Sequence, residues 1–226
     1  MEEALAARVA IRQVLASPAL EATPRGGTLK AALARAGHRV ESVSETVFGQ
    51  LAATDHPQGI LAVVEPPRWR LEDIHPGPRA PVLVLDGVQD PGNVGAMVRT
   101  AFALGAAGVL ALPGTAELTN PKTLRATMGA CFRLPFVAVE DEALRDWARE
   151  RKVRVLLAAA DGAPLDRRDR VPLALVVGNE GAGVRPALAR LASGRAGIPL
   201  RPGAESLNVA AAGAIALWEG WRHASA

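Results

Sequence analysis

Two apolar runs in the second half of the chain each lead into a polar, glycine-containing segment, and this repeated arrangement constrains the fold most. Residues 82–85 lead into Asp-Pro-Gly-Asn-Val-Gly at 90–95, and residues 173–177 lead into Gly-Asn-Glu-Gly-Ala-Gly at 178–183. A third polar segment, Glu-Ser-Leu-Asn-Val at 205–209, follows a short loop. Ligands of open α/β sheets bind beyond the carboxyl ends of the strands. The three polar segments therefore predict one shared site.

The alternation of apolar runs with helical periodicity predicts a parallel sheet with helices on both faces. Strands are predicted at 82–86, 108–112, 135–139, 153–159, 173–178 and 196–200, and helices near 93–105, 120–129, 141–151, 185–192 and 206–222. Asn93 and Ser206 are predicted to cap their helices, because their side chains can accept hydrogen bonds from first-turn amides.

A proline-rich stretch divides the chain into a small and a larger part, because proline removes a backbone donor and interrupts regular structure. The sequence predicts a small α/β domain at 1–65, a linker at 66–81 and a larger domain at 82–226. The small domain is expected to contain strands at 11–15, 39–43 and 59–64 and helices at 28–36 and 44–52. The second of these helices is expected to be capped by Ser44 and to have Val47, Phe48 and Leu51 as its apolar face.

Composition excludes several classes of protein. No run of 18 apolar residues is present, so no membrane span is expected. The four histidines lack metal-ligand spacing, so no metal site is expected. Cys131 is the only cysteine, which rules out an intrachain disulfide and favours a reducing compartment such as the cytoplasm. The basic residues are almost all arginine, which suits phosphate contacts, although a GC-rich genome would also favour arginine codons.

The three polar segments, taken in order and with Arg99 six residues beyond Asn93, resemble the three motifs of the SpoU (TrmH-like) RNA ribose 2′-O-methyltransferases of the SPOUT superfamily. The resemblance extends roughly from Pro81 to Arg222. It implies an S-adenosylmethionine-dependent enzyme that methylates an RNA ribose 2′-hydroxyl. Ribosomal RNA is the favoured substrate, and transfer RNA is an alternative.

The resemblance also implies which residues form the site. The residues expected at the reacting ribose are Arg99, Asn93, Glu180, Ser206 and Asn208. The residues expected to hold the cofactor, largely through the main chain, are Val177, Gly178, Asn179, Gly181, Ile198, Leu200 and Leu207. Arg125 lies in a segment that resembles one beside the family's active site. The arginine-rich loop 167–170 is expected to be solvated, with RNA contact as the alternative.

The family's architecture adds further expectations: a C-terminal trefoil knot, a homodimer, and a small N-terminal domain that recruits RNA. The helix with Trp218 and Trp221 is a candidate dimer surface, since aromatic residues are enriched at interfaces. Family members usually begin with an additional strand and helix. Here residues 1–5 look like the end of that helix, so the first strand is expected to be missing, which would leave strand edges unpaired.

Arg99 is a poor candidate for a free base, because guanidinium is effectively never deprotonated in proteins. Its expected role is to hold the 2′-oxygen or adjacent phosphate and to stabilise charge that develops on that oxygen. The proton could leave to the phosphate, to Glu180 or to water. A non-catalytic RNA-binding protein of the same fold is the main alternative. A dinucleotide-dependent oxidoreductase is disfavoured, because the Gly-x-Gly-x-x-Gly fingerprint is absent after the first strand.

Overall fold

The computed structural model describes residues 1–52, 54, 56–165 and 171–222, and the protein divides into two compact units, Met1–Arg68 and Trp69–Ala226. The arginine-rich loop 167–170 and His223 lie outside the described residues. None of the helices in the described part of the chain combines the length and apolar character needed to cross a bilayer.

The N-terminal unit is a small three-stranded sheet covered by helices. Its elements are α1 (Glu2–Ala6), β1 (Ile11–Ala16), α2 (Pro18–Glu21), α3 (Pro24–Arg35), β2 (Val40–Ser42), α4 (Glu45–Leu51) and β3 (Ile60–Val64). The strand order is β2-β1-β3, with β1 parallel to β2 and antiparallel to β3. Because β1 pairs with both neighbours, the described strands leave no gap in the centre of this sheet. Val14, Leu29 and Leu33 form its core.

Helix α4 begins as predicted but buries less than predicted. Ser44 caps it, since its Oγ accepts a hydrogen bond from the Val47 amide at 3.3 Å. Phe48 is fully buried, whereas Val47 and Leu51 are 44% and 53% exposed. The predicted three-residue apolar face is therefore wrong in two of its members, since Phe48 is the one residue of this helix that is buried.

The C-terminal unit is a six-stranded parallel sheet, as predicted. Its elements are β4 (Val82–Asp86), α5 (Pro91–Ala103), β5 (Gly108–Ala111), α6 (Pro121–Ala126), β6 (Phe136–Ala138), α7 (Asp141–Glu150), β7 (Arg154–Ala163), β8 (Leu173–Gly178), α8 (Pro186–Ala189), β9 (Gly194–Ala196) and α9 (Val209–Arg222). The strand order is β6-β5-β4-β8-β7-β9, and every pairing is parallel.

Side chains of the central strand alternate between two cores, because successive residues of a strand point to opposite faces. Leu83 and Leu85 pack with residues of α5 and α9, including Met97 and Leu217. Val82 and Val84 pack on the opposite face with residues of α7 and α8. Helices therefore cover both faces of the sheet, which confirms the predicted layers.

Strand order brings the first two polar segments together. Strand β4 lies between β5 and β8, and Asp86 at its carboxyl end is in register with Gly178 at the end of β8. The chain leaves β4 toward β5 on one side and returns through β8 on the other. This is the topological switch point at which α/β sheets bind ligands.

Several predicted boundaries differ from the observed ones. Strand β7 extends to Ala163 rather than to residue 159, and α8 ends at Ala189 rather than at residue 192. The last strand is Gly194–Ala196 rather than 196–200, since Pro199 cannot donate to a sheet ladder. Helix α6 ends at Ala126, because Met128 and Gly129 adopt positive φ angles of 49° and 88°. Within the proline-rich stretch, residues 71–73 form a 3₁₀ turn, and Ile74 is fully buried against the core of the C-terminal unit.

Candidate active site

The first polar segment begins helix α5 with a cap at Asp90. Asp90 Oδ1 accepts a hydrogen bond from the Asn93 amide at 2.9 Å, and Lys122 Nζ donates to Asp90 Oδ2 at 2.8 Å. The prediction that Asn93 caps the helix is wrong. Proline is preorganised for the first helical position, so the helix begins at Pro91 and the preceding residue becomes the cap. The side chain of Asn93 is consequently available for other contacts.

A short chain of hydrogen bonds links all three polar segments. Asn93 Nδ2 donates to Glu180 Oε1 at 3.0 Å, and Asn93 Oδ1 accepts from Asn208 Nδ2 at 3.2 Å. The structure thus brings together three of the predicted site residues from positions 87 and 115 residues apart. The side-chain nitrogen of Asn93 donates and its side-chain oxygen accepts, so the orientation of the amide group is defined.

Glu180 is the acceptor at one end of this chain and is held ionised. Burial by itself would raise the pKa of Glu180, but hydrogen bonds from the Asn93 side chain and from the backbone amides of Gln89 and Asp90 outweigh it. The net pKa lies below the ordinary value of 4.5. A carboxylate with a lowered pKa and several donors is a weak base. The geometry suits it to orienting Asn93 and the α5 entry loop.

This lowered pKa predicts a pH-dependent contribution to stability. A carboxyl whose pKa is depressed by folding stabilises the native state above its unfolded pKa and loses that contribution as pH falls through the folded one. We expect Glu180→Gln to lower the free energy of unfolding at neutral pH, and the difference from wild type to shrink below pH 4.5. Urea unfolding across pH 3 to 7, roughly the range in which carboxyls titrate, measures it, with Glu142→Gln in α7 as the control. A difference that stays constant with pH would contradict the assignment.

The second polar segment forms a tight loop after β8. Asn179 Oδ1 accepts from the amides of Gly181 and Ala182 at 2.9 Å, and its Nδ2 donates to the Gly87 carbonyl at 2.9 Å. A Cβ on Gly178 would lie 2.2 Å from the Gly183 carbonyl carbon. Gly178 is therefore required by close backbone packing within the loop. A Cβ on Gly181 would meet only the Asn179 side chain, at 3.6 Å.

A buried ion pair anchors this loop, and the sequence reasoning missed it. Asp86 is fully buried and accepts from the Arg185 backbone amide at 2.7 Å and from Arg185 Nε at 2.6 Å. Arg185 also donates to Asp141 Oδ1 at 2.7 Å. Hydrogen bonding to Asp86 is the main reason that the pKa of Arg185 is raised. Asp86 is the last residue of a strand whose residues are all buried. A carboxylate in that position needs a partner, and this was the signal in the sequence from which an ion pair could have been expected.

The third polar segment ends in the cap of helix α9. Asn208 Oδ1 accepts from the amides of Ala210 and Ala211 at 2.9 and 3.2 Å. The predicted cap at Ser206 is wrong, because the helix begins at Val209 and the residue immediately before it takes that role. Ser206 and Leu207 are exposed.

A cavity of about 830 Å³ opens between the ends of β7 and β8, the 196–207 segment and α9. All seven residues predicted to hold the cofactor line it, together with Glu180 and Ser206. The lining residues that the prediction omitted are Ala158, Ala159, Pro164, Leu165, Gly183, Ala196, Gly197, Pro199, Glu205, Val209, Ala212, Ile215, Ala216, Glu219 and Arg222. The lining residues of α9 recur at three- and four-residue spacings, so helix periodicity was the signal that could have identified them.

Arg99 is not joined to this network. It is exposed on α5, and no hydrogen bond or ion pair connects its side chain to any other described residue. Six residues of helix correspond to about 600° of rotation, so Arg99 lies on a different side of α5 from Asn93. Of the five residues predicted at the ribose, the structure joins Asn93, Glu180 and Asn208 and places Ser206 on the cavity.

The sequence matches two known families. Residues 80–218 match the SpoU rRNA Methylase family, and residues 1–70 match the family described as RNA 2′-O ribose methyltransferase substrate binding. The 23S rRNA (guanosine(2553)-2′-O)-methyltransferase RlmP of Bacillus subtilis is 40% identical over 178 residues, which are 78% of this chain and 70% of that protein. The 23S rRNA (adenosine(1067)-2′-O)-methyltransferase of Streptomyces laurentii is 37% identical over 88% of this chain and 75% of that protein.

Solved structures agree with these sequence matches. The SpoU methyltransferase AviRb from Streptomyces viridochromogenes, in complex with the cofactor AdoMet, superposes with a TM-score of 0.84 at 27% identity. The match covers 98% of this chain and 86% of AviRb. An AdoMet-bound rRNA methyltransferase from Sinorhizobium meliloti gives a TM-score of 0.84 at 32% identity, over 99% of this chain and 85% of that one.

Proposed function

Because the chain belongs to the SpoU rRNA methylase family, we propose that it transfers a methyl group from S-adenosylmethionine to a ribose 2′-hydroxyl of ribosomal RNA. The observation that carries the proposal is the position of Glu180. Its side chain accepts a hydrogen bond from Asn93 in the polar network, and Glu180 also lines the 830 Å³ cavity. The pocket proposed for the methyl donor therefore lies next to the amides proposed to hold the ribose.

The cavity has the size and chemistry that S-adenosylmethionine requires. Ligand pockets usually measure about 300–1,000 Å³ and are mainly apolar with a few polar groups. Here Ile198, Leu200 and Leu207 line the cavity and would supply apolar surface for the adenine ring. Glu180, Glu205 and Glu219 also line the cavity, and carboxylates suit a cofactor that carries a sulfonium and an ammonium group. We assign cofactor binding to these apolar residues and to the main chain at 177–181.

When bound, S-adenosylmethionine supplies a methyl carbon activated by its positively charged sulfur. The 2′-oxygen of the RNA forms the new bond to that carbon while the carbon–sulfur bond breaks, which leaves S-adenosylhomocysteine and releases the hydroxyl proton. The contribution of the protein is mainly to hold the two reactants in line. We assign the orientation of the ribose to Asn93, Ser206 and Asn208.

We assign to Arg99 the stabilisation of negative charge that develops on the reacting oxygen. The guanidinium stays protonated, so it stabilises a developing oxyanion or holds the neighbouring phosphate. The lowered pKa of Glu180 argues against that carboxylate as the proton acceptor. We therefore propose that the proton leaves to the substrate phosphate or to water, and that Glu180 orients Asn93.

The family resemblance supports three further proposals: that the C-terminal segment forms a trefoil knot, that the protein is a homodimer, and that it acts in the cytoplasm.

For the proposed dimer, helix α9 supplies a suitable surface. Trp218 stacks on Trp221 with ring centroids 5.1 Å apart, and Trp218 is 46% exposed. Sedimentation analysis tests this proposal, which predicts a dimer that Trp218→Glu weakens.

Two measurements test the function together. Titration calorimetry with S-adenosylhomocysteine should give saturable binding, and tritiated S-adenosylmethionine should label a 23S rRNA transcript. A ribose methylated at its 2′-oxygen resists alkaline cleavage, so the modified nucleotide appears as a gap in an alkaline ladder. Cofactor binding without transfer to 23S rRNA or to tRNA would favour the non-catalytic alternative.

A substitution in α9 tests the assignment of the cavity. Ala212 lines the cavity, whereas Ala211 is exposed and does not. We expect Ala212→Phe to weaken S-adenosylhomocysteine binding at least tenfold, about 1.4 kcal/mol, because the ring occupies cofactor space. Ala211→Phe is the matched control and should bind as wild type does. Equal affinities of the two variants in calorimetry would place the cofactor elsewhere.

A further inference from the structure

The segment from Pro91 to Val139 carries an unusually one-sided charge. It contains Arg99, Lys122, Arg125 and Arg133 but only one acidic residue, Glu117. Lys122 is already paired with Asp90. Arg99 and Arg125 are exposed, and neither is paired with a described residue. Exposed arginines in a segment with almost no carboxylates suit the phosphates of a nucleic acid.

Helix packing brings these arginines to one surface. A Cβ on Gly92 would lie 3.3 Å from Lys122 Cε, and one on Gly95 would lie 2.5 Å from Ala126 Cβ. Helices α5 and α6 are therefore in tight contact and run in the same direction. Arg99 is four residues beyond Gly95, on the same face of α5. The register of the two helices therefore places Arg99 toward the C-terminal end of α6, which Met128 follows in the chain.

Met128 combines exposure with an unfavourable backbone conformation. Met128 is 64% exposed, and its φ angle is 49°. Non-glycine residues with such angles are uncommon and are found disproportionately at functional sites. A large apolar side chain held in solvent in this way, three residues beyond the exposed Arg125, is available to a ligand.

An aromatic side chain completes the surface. Phe102 is 39% exposed and lies three residues beyond Arg99 on α5. The Arg133 guanidinium lies over its ring, 6.0 Å from the ring centroid. We call Phe102, Arg125, Met128 and Arg133 the Met128 surface. Apolar side chains interspersed with arginines are typical of surfaces that bind single-stranded nucleic acid through bases and phosphates.

We propose that the Met128 surface binds the RNA nucleotides that flank the methylated ribose, with Met128 against a nucleobase and Arg125 on a phosphate. This inference rests on the proposed function, because Arg99 connects the surface to the reacting ribose. Its occupant is RNA rather than a protein partner, because the one-sided positive charge matches a phosphodiester chain. The surface selects and holds substrate, whereas the chemistry is carried out at Arg99 and the Asn93 network.

Steady-state kinetics with a 23S rRNA transcript test the role of Met128. Met128→Asn removes the apolar side chain, and asparagine tolerates positive φ. We expect KM for the transcript to rise about 3- to 10-fold, the effect of one methionine contact with an aromatic ring, with kcat within about twofold, which is the signature of lost uniform binding. S-adenosylhomocysteine affinity should not change. Met128→Gly, which also suits the backbone, is the second variant should the first fail to fold.

Salt dependence separates a phosphate contact from a base contact. Binding of the same transcript is measured without cofactor between about 50 and 200 mM salt. Arg125→Ala should reduce the slope of log K against log salt by about 0.7 to 0.9, the value for one phosphate. Met128→Asn should leave the slope unchanged. Arg190→Ala, an exposed arginine in the helical layer on the opposite face of the sheet, is the matched control and should leave it unchanged too.

The outcomes for the two proposals are distinguishable. If the wild-type protein methylates the transcript but Met128→Asn leaves KM within twofold of wild type and Arg125→Ala leaves the salt slope unchanged, the Met128 surface is not an RNA contact and the proposed function stands. A wild-type protein that binds neither S-adenosylhomocysteine nor transcript would instead contradict the proposed function. Photo-crosslinking of 4-thiouridine-substituted transcript to the tryptic peptide 126–133 would support the inference directly.

Discussion

Replacing Arg99 by alanine is expected to reduce methyl transfer about 100- to 1,000-fold, the usual cost of removing one group that stabilises an oxyanion. Arg99 is exposed, and its side chain makes no hydrogen bond to the network of Asn93, Glu180 and Asn208. Its loss should therefore leave the network and the cavity intact. S-adenosylhomocysteine binding should stay within about twofold of wild type, since a group that acts only in the transition state contributes little to cofactor affinity.

Single-turnover transfer of a tritiated methyl group to a 23S rRNA transcript measures this effect, with calorimetry on the same preparations. Arg190→Ala is the control for loss of an exposed arginine. Arg99→Lys keeps the charge but loses the planar donor geometry, so it should recover only part of the activity. An alanine variant that transfers methyl groups at a rate near wild type would show that Arg99 has no role in the reaction.

The positions of the site segments could be predicted because each depends on local sequence. Apolar runs at β4 and β8 end where polar residues begin, and a parallel sheet brings such ends to one edge. The seven residues expected around the cofactor, which the family resemblance supplied, also line a single cavity. What they bind stays a prediction until cofactor affinity is measured.

The helix caps were predicted three and two residues away from their true positions. Asn93 and Ser206 both have side chains suited to capping, and so do Asp90 and Asn208, which take the role. Propensity alone could not choose among neighbours of similar capping strength. The displacement matters, because an asparagine inside the first turn can direct both its amide groups to Glu180 and Asn208.

A carboxylate at the end of a buried strand indicates that a partner exists, but the sequence does not indicate which residue that partner is. Asp86 and Arg185 are 99 residues apart, and nothing in the residues around either one indicates the other. The pairing depends on β4 lying beside β8 and on the loop after β8 folding back over the strand ends. Both are consequences of the assembled sheet, which a single sequence does not reveal.

Removing the cation of this pair should have the largest effect on stability. We expect Arg185→Ala to lower the free energy of unfolding by about 3 kcal/mol, because it leaves the Asp86 carboxylate buried without its partner. The value is at the lower end of the usual range, since Arg185 is itself 39% exposed. The loop that carries Glu180 is anchored through Arg185, so methyl transfer should fall as well.

Tryptophan fluorescence in urea reports unfolding of the C-terminal unit, which contains Arg185. All four tryptophans, Trp69, Trp147, Trp218 and Trp221, lie in that unit, Trp69–Ala226. Asp141→Ala is the matched control. It removes only the more exposed contact of Arg185 and should cost no more than about 1 kcal/mol. Combining Asp86→Asn with Arg185→Ala should recover at least about 1 kcal/mol relative to Arg185→Ala alone, since the buried charge is then gone. If the double variant is as unstable as the sum of the two single variants, the destabilisation comes from lost packing, and the ion pair does not anchor the loop.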